Sequence, residues 1–238
     1  MKISIYIFSV FLLLLQAPNL KAQELESAET SDASPDKSAS QLDSFHQIRL
    51  GIDVSKLTLN YFQSTKKAVE FSIDYYHKKE QYYVLEGGWG GSKINYPDLN
   101  YQSQNSFLRF GFDKSMYKRK QPRDWGMAFF GLRYGLAFVQ RDIASYTTND
   151  GLGNSTQGSI AAKNSTLHWL EFCGGMKLEL FPGCFSGWTV RAKILMNQKT
   201  MGDLKPLYIA GYGLGEKITA FDYNFYIAYA LTWRSKNK

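Results

Sequence analysis

Cysteine is nearly absent from this chain. Two residues, Cys173 and Cys184, stand among 238, too few for the disulfide framework of a small secreted domain. The strand expected between them would hold their Cα atoms on the order of 20 Å apart, and a bridge needs about 7 Å, so both are expected unpaired. Histidine is equally scarce. His46, His77 and His168 fall at a strand start, in a turn and on an apolar row, so neither a metal site nor a cofactor is expected. Proline, at six, is rare enough to leave long strands uninterrupted. Beyond residue 22 no uncharged apolar run approaches the roughly 18 residues of a membrane helix, and mean hydropathy is negative. A helical membrane bundle is excluded.

Aromatics and glycine are abundant instead: 16 Tyr, 16 Phe and 20 Gly. Their arrangement is clearest in Trp125–Arg141. Ala128, Phe130, Leu132, Tyr134, Leu136 and Phe138 form one apolar row. Met127, Phe129, Gly131, Arg133, Gly135, Ala137 and Val139 form the other, with a charge and two glycines at its centre. This is period two, sustained well past the usual strand of about 5–6 residues. Its glycines argue against a helix interior. A strand this long, apolar on one face, suits a tilted crossing of a bilayer.

The pattern recurs over Gln47–Ser55, Ala68–Tyr76, Gln81–Gly91, Ser106–Lys114, Thr166–Leu180, Gly187–Gln198 and Ala220–Trp233. Counting Trp125–Arg141, that predicts eight strands. Short turns alternate with longer loops near 56–67, 92–105, 142–164 and 199–218. An even count with turns at one end and loops at the other is the plan of an all-β, antiparallel, up-and-down transmembrane barrel. The domain expectation is a signal peptide at 1–22, a disordered acidic and Ser-rich leader at 23–44, the barrel at 45–233 and a basic tail at 234–238. Lys2, the apolar run Ile3–Leu15 and Leu20-Lys21-Ala22 read as a cleaved export signal. Export removes nucleic acid as a partner for the basic body.

Alternation alone does not say which face is inside. A soluble secreted lipocalin-like binding barrel would put the apolar row within. More than thirty residues occupy the apolar rows, too many large side chains for the interior of an eight-stranded barrel. The polar rows are nearly neutral: Arg49, Arg109, Arg133, Lys177, Arg191 and Lys193 against Asp53, Glu70, Asp74, Glu86, Asp113, Glu171 and Asp222. Such a set can pair in a closed interior, where a lone charge is costly. The apolar rows therefore face lipid, and eight strands leave no open lumen. Tyr75, Trp89, Trp125, Trp188, Tyr223 and Trp233, near strand ends, read as an aromatic girdle. Basic turns (Lys78, Lys79, Lys118, Arg119, Lys120, Arg123) and the tail could meet lipid phosphates.

A lipid A-modifying barrel enzyme is the catalytic alternative. Its Ser/His/acid set would need His168 and Glu171, which point to opposite faces, and no Ser shares His168's row. The expected partners are outer-membrane lipids and the barrel assembly machinery, with a possible surface partner at loops 142–164 and 199–218. The protein is expected to be a monomer in the outer membrane, of structural or surface-interaction type.

Several ordered segments also resemble a known family: Gly51-Ile52-Asp53-Val54-Ser55-Lys56, Gly131-Leu132-Arg133-Tyr134-Gly135, His168-Trp169-Leu170-Glu171 with Gly175-Met176-Lys177-Leu178-Glu179, Gly187-Trp188-Thr189-Val190-Arg191 and Leu207-Tyr208-Ile209-Ala210-Gly211-Tyr212. Together they resemble uncharacterised outer-membrane barrel proteins of the Bacteroidota, a domain-of-unknown-function family. The resemblance spans about 46–233. It implies a small barrel in the outer membrane and carries no activity.

Overall fold

The computed structural model describes residues 45–234, apart from 64, 120–123, 152–153 and 203. The expected signal, leader and most of the tail lie outside the described residues, as do Lys120 and Arg123.

Ten strands follow in order: β1 Phe45–Asp53, β2 Lys66–Tyr76, β3 Gln81–Tyr96, β4 Leu99–Ser115, β5 Met127–Arg141, β6 Ala144–Asn149, β7 Ser155–Ile160, β8 Lys163–Phe181, β9 Cys184–Leu195 and β10 Thr219–Arg234. Eight of them close a ring, β1-β2-β3-β4-β5-β8-β9-β10, through antiparallel pairings that return from β10 to β1. This is the closed eight-stranded barrel that the periodicity predicts. Stepping straight across the strands from Ile48 leads through Tyr75, Tyr83, Phe112, Leu132, Phe172 and Ala192 to Phe221. Ile48 itself pairs with Leu231. The walk thus closes ten residues out of step, from 221 to 231. With standard strand rise and spacing, that shear tilts the strands by about 40° and sets a backbone radius of about 8 Å.

Three expected loops are ordered differently. Residues 54–62 form a helix, α1 (Val54–Phe62), where a strand tail and loop were expected. Asp53 caps it, accepting from Ser55 N at 2.8 Å and Lys56 N at 3.3 Å, which satisfies donors left open in the first turn. β3 and β4 run past the expected loop at 92–105 and turn at Pro97-Asp98. Within 142–164, β6 and β7 form a hairpin anchored on β4 at Leu99 and Asn100. Their side chains are mostly small and polar, with little to bury, so no apolar alternation marks them.

The outer surface is apolar. Leu50, Phe71, Leu85, Phe110, Phe130, Phe172, Val190 and Ile227 are each more than 40% exposed. The side chains between them on the same strands point inward. The barrel contents fall into three tiers. Towards the loop end lies a packed apolar cluster that includes Phe107, Val139, Leu167, Trp169 and Leu195. Towards the turn end lies another, with Tyr76, Tyr82, Trp125, Met127, Phe129 and Phe185. Charge fills the middle. An inward-apolar barrel of lipocalin type would have neither this charged middle tier nor this apolar outer face.

Candidate functional site

The middle tier is a connected layer of ion pairs. Arg109 sits among three carboxylates: Glu70, Glu86 at 2.9 Å and Glu171 at 3.3 Å. Arg191 reaches both oxygens of Glu86, at 2.7 and 2.9 Å, and Glu171 at 3.0 Å. The bidentate fork fixes orientation as well as charge. Arg133 holds Asp113 at 2.7 Å and lies 4.0 Å from Glu86. Lys177 bridges Asp74 at 2.6 Å and Asp113 at 3.1 Å. At the loop end Lys193 and Lys56 share Asp222, at 2.8 and 2.5 Å. Within this layer six cations thus face six carboxylates. Neutral groups complete the shell. Trp169 Nε1 donates to Glu171 at 2.6 Å, and the Tyr226 hydroxyl donates to Glu70.

Parity explains why these side chains meet. Arg109, Arg133, Glu171 and Arg191 all lie on the inward alternate of their strands, and Arg133 and Glu171 occupy paired positions across β5 and β8. The layer leaves little space. Its cavity, bounded by Asp74, Glu86, Arg133, Lys177 and Tyr226 among others, measures about 20 Å³, room for about one water. That is far too small to conduct solutes.

The loop-end tier includes a segment that the strand pattern puts outside the barrel. Loop 199–218 was expected as a surface loop, but its centre folds into the barrel mouth. Ile209 and Ala210 are fully buried, and Tyr212 nearly so. Asn105 clamps the loop, accepting from Ala210 N at 2.6 Å and donating to Tyr208 O at 3.1 Å. Arg109 and Lys193 both donate to Gly211 O, at 3.1 and 2.7 Å. The Tyr212 hydroxyl lies 2.7 Å from the carbonyls of Lys217 and Ile218. Burial pushes its phenol up to about 12, so it remains a donor. The loop is an inward plug. Replacing Asn105 with alanine leaves a buried backbone donor and acceptor unmatched, at about 1–3 kcal/mol. Hydrogen exchange at residues 207–213 is expected to accelerate at least tenfold while the strands keep their protection.

Some expected residues take other roles. Arg49 is inside but has no carboxylate partner among the described residues. Its guanidinium lies between the Tyr82 and Phe185 rings, 4.5 and 4.4 Å from their centroids. It donates to Gln47 Oε1, the Tyr82 hydroxyl and Trp125 O. Asp53 is buried as the cap of α1 and accepts from Asn224, so it belongs to the cap rather than to the ion pairs. Trp125 is not a girdle residue. It is 4% exposed and packs edge-on against Tyr76, with Arg119 over its ring at 4.0 Å. Arg119 is correspondingly tucked in, bonded to Glu80 at 3.1 Å, and not spread towards lipid phosphate. The other girdle residues do face outward. Trp89, Trp188, Tyr223 and Trp233 are 39–58% exposed, and Tyr75 stacks on His46, which stacks on Trp233. Lys56, Trp169, Asn224 and Tyr226 were missed. Lys56 lay in a presumed loop, and the other three carry no charge.

Chemically the layer holds charges still. Every carboxylate in it faces a cation, and apolar tiers lie above and below. Cys173 and Cys184 are free thiols. His168 is half-exposed beside the Tyr134 ring on the outer face, away from the inward Glu171. Among the described residues no three His, Cys, Asp or Glu side chains are placed to hold a metal ion.

A model of the family described as Domain of unknown function (DUF6048) matches residues 3–236. The chain belongs to this family. Its fold is also similar to two solved structures. Neisserial surface protein A (NspA) is 9% identical, with 80% of this chain and 96% of that one covered and a TM-score of 0.34. The N-terminal β-barrel domain of Pseudomonas aeruginosa OprF is 10% identical, with 79% and 98% covered and a TM-score of 0.31. No curated protein matches the chain.

Proposed function

We propose that this DUF6048 protein is a sealed outer-membrane barrel of structural or surface-interaction type, exported by a cleaved signal at 1–22 and monomeric. One observation carries the reading: large apolar side chains cover the outside of a closed barrel whose middle tier, inside, is ionised. Water would solvate the two faces the other way round. Eight strands of 9–19 residues tilted by about 40° meet the length of a tilted transmembrane strand, about 9–11 residues. A wall closed by pairing all round leaves no edge strand in lipid. The sequence resemblance to Bacteroidota barrels agrees with this reading, in which outer-membrane lipids and the barrel assembly machinery are the partners. The small cavity favours a structural or surface role over a pore.

Fractionation tests it. The protein is expected in the outer-membrane pellet, soluble only in detergent, with faster gel mobility before boiling than after. Recovery as a soluble periplasmic protein would contradict the proposal. Lipid A profiles that change on deletion of the gene and again with His168→Ala would point to the enzyme alternative.

A further inference from the structure

On the outer surface, just above the aromatic level, the barrel carries a groove of about 820 Å³. Its floor is Trp89 and Phe138, 58% and 57% exposed. Moving one alternate towards the loop end, the cross-strand row reads Lys67, Gly91, Gln104, Gln140. Lys93 stands in the next row, paired with Gln102. Gly91 is what opens the groove. It leaves a gap in the outward row, and a Cβ there would lie 2.3 Å from Ser103 O. No side chain can close the gap without moving the backbone.

The chemistry is one-sided. Two ammonium groups and the primary amides of Gln102, Gln104 and Gln140 surround the gap, and among the described residues no carboxylate lines it. Below, the same face continues as Val69, Phe71, Leu108 and Leu136, an apolar wall for acyl chains. A ligand filling this space needs an anionic, hydroxyl-rich head and hydrocarbon tails beneath it.

We propose that the groove binds a phosphorylated glycolipid of the outer leaflet. Lys67 and Lys93 hold phosphate, Gln104 and Gln140 hydrogen-bond the sugar, and Trp89 and Phe138 lie under it where the acyl chains begin. This assignment rests on the membrane reading above. It commits to a lipid because the groove is continuous with the apolar wall.

The test uses the full-length mature protein refolded in detergent, with binding read by native mass spectrometry and titration. The probes are bis-phosphorylated lipid A and the same lipid after enzymatic dephosphorylation. The phosphorylated form is expected to bind at least tenfold more tightly. Lys67→Glu/Lys93→Glu is expected to erase that preference while keeping heat-modifiable mobility. Lys78→Glu/Lys79→Glu, which alters basic residues at the opposite end, is expected to keep it. Millimolar inorganic phosphate is expected not to displace the lipid. Equal binding of the two lipids, equal losses in both variants, displacement by phosphate alone, or occupation of the face by a second copy in a stable dimer would each overturn the proposal. Failure of the membrane reading is separately visible as a protein that stays soluble and does not enter phosphatidylcholine vesicles.

Discussion

Arg109→Leu is expected to destabilise the barrel by about 3–5 kcal/mol, the range for removing one partner from a buried ion pair. Arg109 is fully buried and faces Glu70, Glu86 and Glu171. Arg191 would still hold Glu86 and Glu171. Among the described residues Glu70 would keep the Tyr226 hydroxyl and no ion-pair partner. The plug would also lose its tie at Gly211 O. Arg133→Leu should cost less, because Asp113 retains Lys177 at 3.1 Å. Adding Glu70→Gln to Arg109→Leu should recover part of the loss, since the stranded charge is then gone. Urea unfolding in detergent micelles, followed by gel mobility, measures all three against wild type. A wild-type midpoint for Arg109→Leu would show that the layer does not support the fold.

The second large effect is steric. Gly135 faces Trp169 across β5 and β8. A Cβ at 135 would lie 2.2, 2.5 and 2.7 Å from Trp169 Cε2, Cζ2 and Nε1. The indole is fully buried and packed edge-on against Tyr212. Gly135→Val therefore has to expel the ring. That costs about 1–3 kcal/mol in overpacking and breaks the 2.6 Å bond to Glu171. The expected result is a lowered midpoint together with red-shifted tryptophan emission. Gly174→Ala is the control, since its Cβ meets nothing nearer than Phe129 O at 3.9 Å. That variant should match wild type. Unshifted emission from Gly135→Val would contradict the packing described.

The middle of the barrel was legible because period two is a property of the chain itself. Once Arg133 marks the inner face, Met127, Phe129, Ala137 and Val139 follow by parity. Trp125 shares that parity with Met127, and its inward position was available in the sequence. Proximity to a turn was the weaker cue, and it misled. The ends were less legible, because they depend on distant partners. Asn105 and Ala210 meet across 105 residues, and nothing local in Leu207–Tyr212 says that this loop turns inward. Helix α1 had a local signal in Asp53 as an N-cap. The alternation of Val54 with Asp53 concealed it. The two glycines beside Arg133 serve different neighbours. A Cβ at Gly131 would crowd Asp113 and Arg133, whereas Gly135 makes room for Trp169.

The central claim is that the apolar alternates face hydrocarbon. Leu132 is the outward neighbour of the inward Arg133, and a fluorophore on Leu132→Cys, in a chain with Cys173→Ala and Cys184→Ser, reports its surroundings directly. In vesicles the account predicts strong quenching by lipids brominated mid-chain and little by aqueous iodide. Strong iodide quenching with no response to the brominated lipids would contradict it.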